Sequence, residues 1–182
     1  MSEQLRKTVV LVGMMGAGKT AVGKALAAKL GVPFIDSDAE IERAANMSIA
    51  EIFARDGEAF FRKKETQVIE RLLDGGRCIL STGGGAFLAQ NNREMISERG
   101  VSVWLNADLD LLWSRVRHKQ TRPLLRTANP YATLSEIFEA RVPIYAQADI
   151  EVHADAAYSI EEMANRVLRA ISARHDVLET TE

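Results

Sequence analysis

The sequence predicts an α/β protein in which helices cover both faces of a parallel sheet. Two observations indicate this fold class: short apolar segments alternate with segments of helical periodicity, and the first such pair encloses a glycine-rich turn. Segments that are apolar on both faces are typical of strands buried between two helical layers. The predicted strands are residues 8–12, 33–36, 78–81, 101–105 and 149–152.

The glycine-rich turn follows the first predicted strand directly. It contains Gly13, Gly18, Lys19 and Thr20 at the phosphate-binding spacing G-x-x-x-x-G-K-[ST], and a helical pattern begins immediately after it. In such a turn the backbone N–H groups surround phosphate oxygens, and the following helix directs its positive dipole end at the same anion. The alternative is a turn whose glycines serve only the backbone. The strand before it and the helix after it favour a nucleotide site.

The remaining helical segments differ in clarity. Residues 118–131 show no periodicity and include Pro123 and Pro130, so they are predicted to form a long loop or lid. The polar residues 175–182 are expected to form a frayed tail. The predicted helices are residues 21–30, 60–73, 109–116, 134–145 and 160–171.

Length and composition limit the class of protein. A chain of 182 residues fits a single domain, here taken as residues 1–182. The net charge of −2 gives no basic field of the kind that attracts nucleic acid. Cys78 is the single cysteine and lies in an apolar segment, so we expect a small core residue. The sequence has no long apolar run and no signal-peptide pattern, and we expect a cytoplasmic protein.

Polar residues follow the second predicted strand in the order Asp36, Ser37, Asp38. Ser37 and Glu40 have capping-box spacing, so Ser37 is predicted to begin a helix, with Asp38 as the alternative cap. Asp36 and Asp38 would project to the same side if the chain is still extended there. Carboxylates just beyond a strand end, beside a phosphate loop, suit Mg²⁺ and activation of a hydroxyl group. The alternative is a pair of solvated turn carboxylates.

An arginine falls within the apolar face of the helix predicted at residues 134–145. A guanidinium that faces inward keeps its charge and therefore needs an anion. This anion is either an internal carboxylate or a ligand, unless the side chain extends its charged end to solvent. Pro143 is expected to end or kink the helix just after Arg141. The apolar face comprises Leu134, Phe138, Val142 and Tyr145, with Ile137 at its margin.

Three further features have less specific patterns. Gly83, Gly84 and Gly85 follow a predicted strand, which indicates a close approach of backbone to a ligand or else a loose connection. Arg62 near the start of the helix at residues 60–73 has, by itself, the position of a surface arginine. Arg122 lies in the aperiodic segment, where a mobile arginine can offset charge on a transferring phosphoryl group.

Together these motifs closely resemble those of the shikimate kinase family, small P-loop enzymes similar to nucleoside-monophosphate kinases. The resemblance covers nearly the whole chain, from Thr8 to the last predicted helix. It implies a three-layer α/β/α fold with a five-stranded parallel sheet and a mobile lid. It rests on six motifs in order: Gly13 to Thr20, Asp36-Ser37-Asp38, Phe61-Arg62 before Glu65, Gly83-Gly84-Gly85, Arg122-Pro123-Leu124-Leu125, and Arg141 with Pro143 and Tyr145.

The resemblance also implies a reaction, namely transfer of the ATP γ-phosphoryl group to the 3-hydroxyl of shikimate in aromatic amino-acid biosynthesis. By this resemblance Asp38 would hold the shikimate hydroxyls and accept the reacting proton. Arg62 and Arg141 would bind the substrate carboxylate. The backbone of Gly83, Gly84 and Gly85 would lie at the same site. The resemblance further implies a monomer, while the net charge and the lack of a long apolar run lead us to expect no nucleic-acid or membrane partner.

For the nucleotide, the resemblance implies that Lys19 and Arg122 contact the phosphates and act in catalysis with Asp38. Thr20 would bind Mg²⁺, with Asp36 near the ion, either directly or through water. Arg115 is similar to the family's adenine-contacting arginine, although Arg117 is an alternative. The ATP-binding set would be Gly13, Gly16, Ala17, Gly18, Lys19, Thr20, Ala21, Arg115 and Arg122.

Two other functions are compatible with the same phosphate loop. One is a gluconate or nucleoside-monophosphate kinase on the same scaffold, because fold alone does not define the acceptor. The other is a nucleotide-dependent switch that hydrolyses ATP slowly and acts through a partner. An acceptor that is a small polyhydroxy acid is favoured by the combination of Asp38, Arg62, Gly83–Gly85 and Arg141.

Overall fold

The computed structural model describes residues 2–118 and 125–181. Its main sheet has five parallel strands in the spatial order β3-β4-β2-β5-β6. The five predicted strands are confirmed, each within one residue at either end. The strands of the described chain are β1 (Ser2–Leu5), β2 (Thr8–Val12), β3 (Phe34–Asp36), β4 (Ile79–Ser81), β5 (Gly100–Asn106), β6 (Ile150–His153) and β7 (Leu178–Thr181).

Helices connect the strands and form the outer layers. Helix α1 packs against α7, and α3 packs against α4, so the central strands are enclosed. Val9, Val10 and Leu11 on β2 are fully buried, as the apolar pattern predicts for a central strand. The helices are α1 (Lys19–Leu30), α2 (Ser37–Ala45), α3 (Ile49–Asp74), α4 (Gln90–Arg99), α5 (Leu109–Val116), α6 (Pro130–Tyr145) and α7 (Ile160–Ser172), with a short 3₁₀ turn at Ala86–Leu88.

Helix α3 is longer than the sequence predicts and is interrupted once. Gly57 has φ 85° and ψ 172°, which breaks the helical path between its two parts. Four buried side chains of α2 and α3 form a second apolar cluster beside the main core. This cluster fixes the two helices against each other next to the end of β3. Its buried members are Ile41, Ile52, Phe61 and Val68.

The C-terminal segment differs from the expected frayed tail. Strand β7 pairs antiparallel with β1, and this places Leu178 opposite Leu5. Val177 and Leu178 are buried in the main core. The expectation of a frayed tail is therefore wrong for the described part of residues 175–182. The two apolar residues within the polar segment, rather than its overall polarity, determine its structure.

Helix α6 also differs from its expected course. It begins at Pro130, so the last two residues of the segment predicted as a loop are helical. It continues past Pro143 to Tyr145 instead of ending after Arg141. Pro143 lies in the last turn and is exposed, where the loss of one backbone hydrogen bond is tolerated.

The described residues confirm that Cys78 is a core residue. Cys78 is buried, and its sulfur lies 4.0 Å from Oγ1 of Thr8. Across residues 2–118 and 125–181, every helix is too short or too polar to span a bilayer.

Candidate active site

The phosphate loop (residues 13–20) lies between β2 and α1. Gly13, Gly16 and Gly18 have φ values of 145°, 83° and 99°, which side chains rarely adopt. Space is restricted as well, because a Cβ atom on Gly13 would lie 3.0 Å from the Leu105 carbonyl oxygen. These positions therefore require glycine, and the loop that they form leads directly into the start of α1.

A cavity of about 480 Å³ opens beside the phosphate loop. Arg115 borders it, and its Nη1 donates a hydrogen bond to the Gly16 carbonyl oxygen at 2.9 Å. Arg117 is exposed at the end of α5 and does not line this cavity. The lining residues are Met14, Met15, Gly16, Ala17, Gly18, Lys19, Thr20, Ala21, Val22, Arg115, Tyr158, Ser159, Ile160 and Met163.

The Lys19 ammonium lies over the loop from which it projects. It donates to the carbonyl oxygens of Gly13 at 2.5 Å and of Met14 at 3.3 Å. The charge of Lys19 also lowers the pKa of Asp38, although less than other groups raise it. Lys19 therefore binds the phosphate loop and also acts electrostatically on the carboxylate at the start of α2.

The first turn of α2 corrects the predicted cap. Asp36, not Ser37, is the N-cap, and its Oδ1 accepts hydrogen bonds from the N–H groups of Asp38 at 2.8 Å and Ala39 at 3.2 Å. The chain leaves the extended conformation directly after Asp36, so Ser37 is already helical. The hydroxyl of Ser37 is buried and has no hydrogen-bond partner among the described residues. The condition under which Asp36 and Asp38 would project to the same side, an extended chain at Ser37, is therefore not met.

Asp38 occupies a buried, acidic environment. Its pKa is raised from 3.8 to about 6, mainly because burial penalises the charged form, and then because the carboxylates of Asp36 and Glu65 lie nearby. Within the described chain, Oδ1 of Asp38 is buried without a hydrogen-bond partner. A carboxylate with this pKa is mostly ionised at neutral pH and can accept a proton from a bound hydroxyl group.

The three glycines after β4, Gly83, Gly84 and Gly85, form a turn that we call the glycine turn. A Cβ atom on Gly83 would lie 2.7 Å from Oδ1 of Asp38. On Gly84 it would lie 2.7 Å from Nη1 of Arg141, and on Gly85 it would lie 2.7 Å from Nη1 of Arg62. Each glycine thus admits one charged side chain to the same small region. The turn is a closely packed wall, and the alternative of a loose connection is not observed.

Arg62 is held by carboxylates of its own helix. Its Nη1 donates to Oε1 of Glu65 at 2.8 Å, and its Nε lies 3.6 Å from Oε1 of Glu58. Glu65 is buried, which raises its pKa, while the hydrogen bond and charge of Arg62 act in the opposite direction. This pair turns an arginine with the sequence position of a surface residue toward Gly85.

Arg141 is half-buried beside the glycine turn. Its guanidinium lies beside Gly84 and near the hydroxyl of Tyr145. Among residues 2–118 and 125–181, no carboxylate lies within ion-pair distance of Arg141. The described structure therefore contains no internal anion for this guanidinium.

Arg122 lies outside the described residues, as do five other members of the predicted lid at residues 118–131. Leu125, where description of the chain resumes, is buried against the main core.

Sequence reasoning missed one segment of this site. Tyr158, Ser159 and Ile160 lead into α7 and line the cavity opposite the phosphate loop. Their position after β6, at the carboxyl end of a strand, is the signal that identifies them. The contribution of Glu65 was also missed, because its burial depends on the packing of α3.

Comparisons with known proteins agree with this geometry. The family model described as shikimate kinase matches residues 15–172. A shikimate kinase of Ruegeria pomeroyi is 70% identical over 175 residues, covering 96% of this chain and 90% of that protein.

Two solved structures differ in how much they show about this chain. A shikimate kinase from Acinetobacter baumannii, in complex with shikimate, is 38% identical with a TM-score of 0.86 and 92% and 93% coverage of this chain and that one. A gluconokinase from Sinorhizobium meliloti has a TM-score of 0.62 at 18% identity, with 93% and 94% coverage, and shows the fold alone. On the family match and the 70% identity, this chain belongs to the shikimate kinase family.

Proposed function

We propose that this chain transfers the γ-phosphoryl group of ATP to the 3-hydroxyl of shikimate, a step in aromatic amino-acid biosynthesis. Membership of the shikimate kinase family supports this reaction. The observation that carries the proposal is the glycine turn, whose three members contact Asp38, Arg141 and Arg62 in succession. One carboxylate and two guanidinium groups at a single wall suit a small acid that also carries hydroxyl groups.

The acid half of the site comprises Arg62, Arg141 and the glycine turn. A planar carboxylate accepts paired hydrogen bonds from a guanidinium group, an arrangement that lysine does not reproduce. Arg141, which has no described carboxylate partner, would gain one from shikimate. In this arrangement Asp38 holds the substrate hydroxyls and accepts the proton of the hydroxyl that attacks phosphorus.

The nucleotide half comprises the phosphate loop, Lys19 and the cavity beside α7. Backbone N–H groups and the start of α1 would bind the phosphates, and Arg115 would contact the adenine across the cavity. Arg122 would contact the phosphates from the lid, an assignment that rests on the family motif. Because phosphoryl transfer requires mainly positioning and charge stabilisation, Lys19 would act more on turnover than on substrate binding.

The oxygen donors near the loop fit Mg²⁺. Thr20 is exposed and lines the cavity. Asp36 uses Oδ1 for the helix cap, which leaves Oδ2 outside the described hydrogen bonds. Thr20 would hold the ion directly, with Asp36 acting directly or through water. Bound there, Mg²⁺ would offset the charge of the phosphates.

We further propose that the enzyme is a cytoplasmic monomer without nucleic-acid or membrane partners. The net charge of −2 gives no support for binding to nucleic acid. Light scattering coupled to size-exclusion chromatography measures the mass directly. A mass near 20.1 kDa is expected for the monomer.

Initial-rate measurements of ADP release test the reaction. We expect release that depends on both shikimate and Mg²⁺ and that stops when EDTA is added. Lys19→Met should lower kcat at least about a hundredfold while changing the KM for shikimate little. Release that is equally fast without shikimate would instead favour a nucleotide-dependent switch.

A further inference from the structure

The carbonyl groups of the glycine turn are all bound to protein. The Gly83 oxygen accepts from Ala86 N–H at 3.1 Å, and the Gly85 oxygen accepts from Leu88 N–H at 3.2 Å. The Gly84 oxygen differs, because its donor is a side chain: Oη of Tyr145 lies 2.6 Å away. The turn is therefore anchored to α6 at its middle residue.

The N–H groups of the same turn, unlike its carbonyl groups, are not bonded to described protein atoms. Among the described residues, the N–H groups of Gly83, Gly84 and Gly85 have no hydrogen-bond acceptor. Backbone amides without a protein acceptor beside two guanidinium groups are suited to an anion. Any rotation of the Gly84 peptide would change the direction in which the amides point. The hydrogen bond to its carbonyl opposes that rotation.

Tyr145 also lies near the guanidinium beside Gly84. A Cβ atom on Gly84 would lie 2.7 Å from Nη1 of Arg141 and 3.7 Å from the Tyr145 hydroxyl, which donates to the Gly84 oxygen. Burial raises the pKa of Tyr145, so the phenol keeps the proton that it donates. The side chain is fully buried, and its ring packs near Trp104, with centroids 6.2 Å apart. Trp104 in turn contacts the position of Gly13 in the phosphate loop.

We propose that Tyr145 is a positioning residue for the carboxylate-binding part of the substrate site, holding Arg141 and the Gly84 peptide in a fixed relative orientation. This inference rests on the proposed function, because it assumes that the acid half binds the shikimate carboxylate. The Tyr145 hydroxyl is bonded to the peptide and lies beside the guanidinium, so it can hold the two relative to each other. The Trp104 ring limits movement of the phenol, so the orientation is set before substrate binds.

The test compares steady-state kinetics of the unaltered chain and Tyr145→Phe, which keeps the ring. Loss of the hydroxyl, with its hydrogen bond to the Gly84 oxygen, should raise the KM for shikimate about tenfold. The KM for ATP and kcat should stay within about twofold, because the phosphate half is unchanged. A purely structural role would not separate the two substrates. The inference would be overturned by an unchanged KM for shikimate, or by a rise of similar size in the KM values for shikimate and ATP.

A double-mutant cycle shows whether Tyr145 acts through Arg141. In an Arg141→Lys background, Tyr145→Phe should raise the KM for shikimate by a smaller factor than it does alone. Equal factors in the two backgrounds would contradict the proposed connection.

Ile171→Val provides the control for stability. Ile171 is fully buried on α7, so this change should lower Tm while leaving the KM for shikimate unchanged. Failure of the unaltered chain to phosphorylate shikimate would refute the proposed function and this inference together. If the unaltered chain is active and Tyr145→Phe has the same kinetic constants, only this inference is refuted.

Discussion

Asp38 packs directly on Gly83. A methyl group on this glycine would lie 2.7 Å from Oδ1 and 2.8 Å from Oδ2 of the carboxylate. The glycine is required by the proximity of the side chain and not by a left-handed backbone, because its φ is not positive. The position of the candidate general base is therefore coupled to the sequence of the glycine turn.

Gly83→Ala should displace the Asp38 carboxylate and lower kcat/KM for shikimate by roughly tenfold to a hundredfold, because small misplacements of a reacting group are costly. Initial rates at saturating ATP measure this effect. Gly76→Ala is the matched control, because a Cβ atom there meets no heavy atom within 4 Å. Equal kinetics for the two variants would contradict the steric relationship.

The raised pKa of Asp38 predicts a pH dependence of activity. Proton acceptance requires the ionised form, so kcat/KM for shikimate should fall as the pH drops through about 6. At pH 7.5 Asp38→Asn should lower turnover by about a hundredfold or more, because the acceptor is lost while the shape is kept. Measured rates between pH 5 and 8 test the first expectation. Near-normal turnover in Asp38→Asn would remove Asp38 from the role of general base.

Arg141→Lys should mainly raise the KM for shikimate, by roughly tenfold to a hundredfold, because lysine loses the paired geometry of the guanidinium group. The KM for ATP should change little. Arg43→Lys is a suitable control, since Arg43 is exposed on α2 and pairs with Glu40 at the surface. An unchanged KM in Arg141→Lys would assign Arg141 a structural role.

The pairing of β1 with β7 predicts a contribution of the C-terminal segment to stability. Leu178→Ala should lower the free energy of unfolding by about 2 to 4 kcal/mol, because Leu178 is buried in the main core. Urea denaturation followed by circular dichroism measures the change. Thr180→Ala on the same strand is exposed and should change stability by less than about 0.5 kcal/mol. If Leu178→Ala also changed the free energy of unfolding by less than about 0.5 kcal/mol, the segment would be frayed in solution.

The five parallel strands were predictable because each is a short apolar run, and a buried parallel strand needs no other signal. Helix α4 could not be predicted from the sequence, since it is mostly polar and buries only Asn92 and Ile96. The pairing of β7 with β1 joins the two ends of the described chain, and no local pattern encodes such a contact. Local chemistry also left the cap of α2 ambiguous, because Asp36, Ser37 and Asp38 all have suitable side chains.

For the site, the motif spacing predicted the phosphate loop and the inward position of Arg141. The orientation of Arg62 could not be predicted from the sequence, because it depends on the buried carboxylate of Glu65 in the folded α3. The cavity residues of α7 come from a segment far along the chain, and only the packing of α7 against α1 brings them to the loop.

The most direct test of the proposed function is a competition among acceptors in one reaction. The protein is incubated with ATP, Mg²⁺ and equimolar shikimate, gluconate and a nucleoside monophosphate, and the phosphorylated products are identified by mass spectrometry and ³¹P NMR. We expect shikimate phosphorylated at the 3-hydroxyl as the product. Phosphorylated gluconate or a nucleoside diphosphate, with shikimate unmodified, would contradict the account.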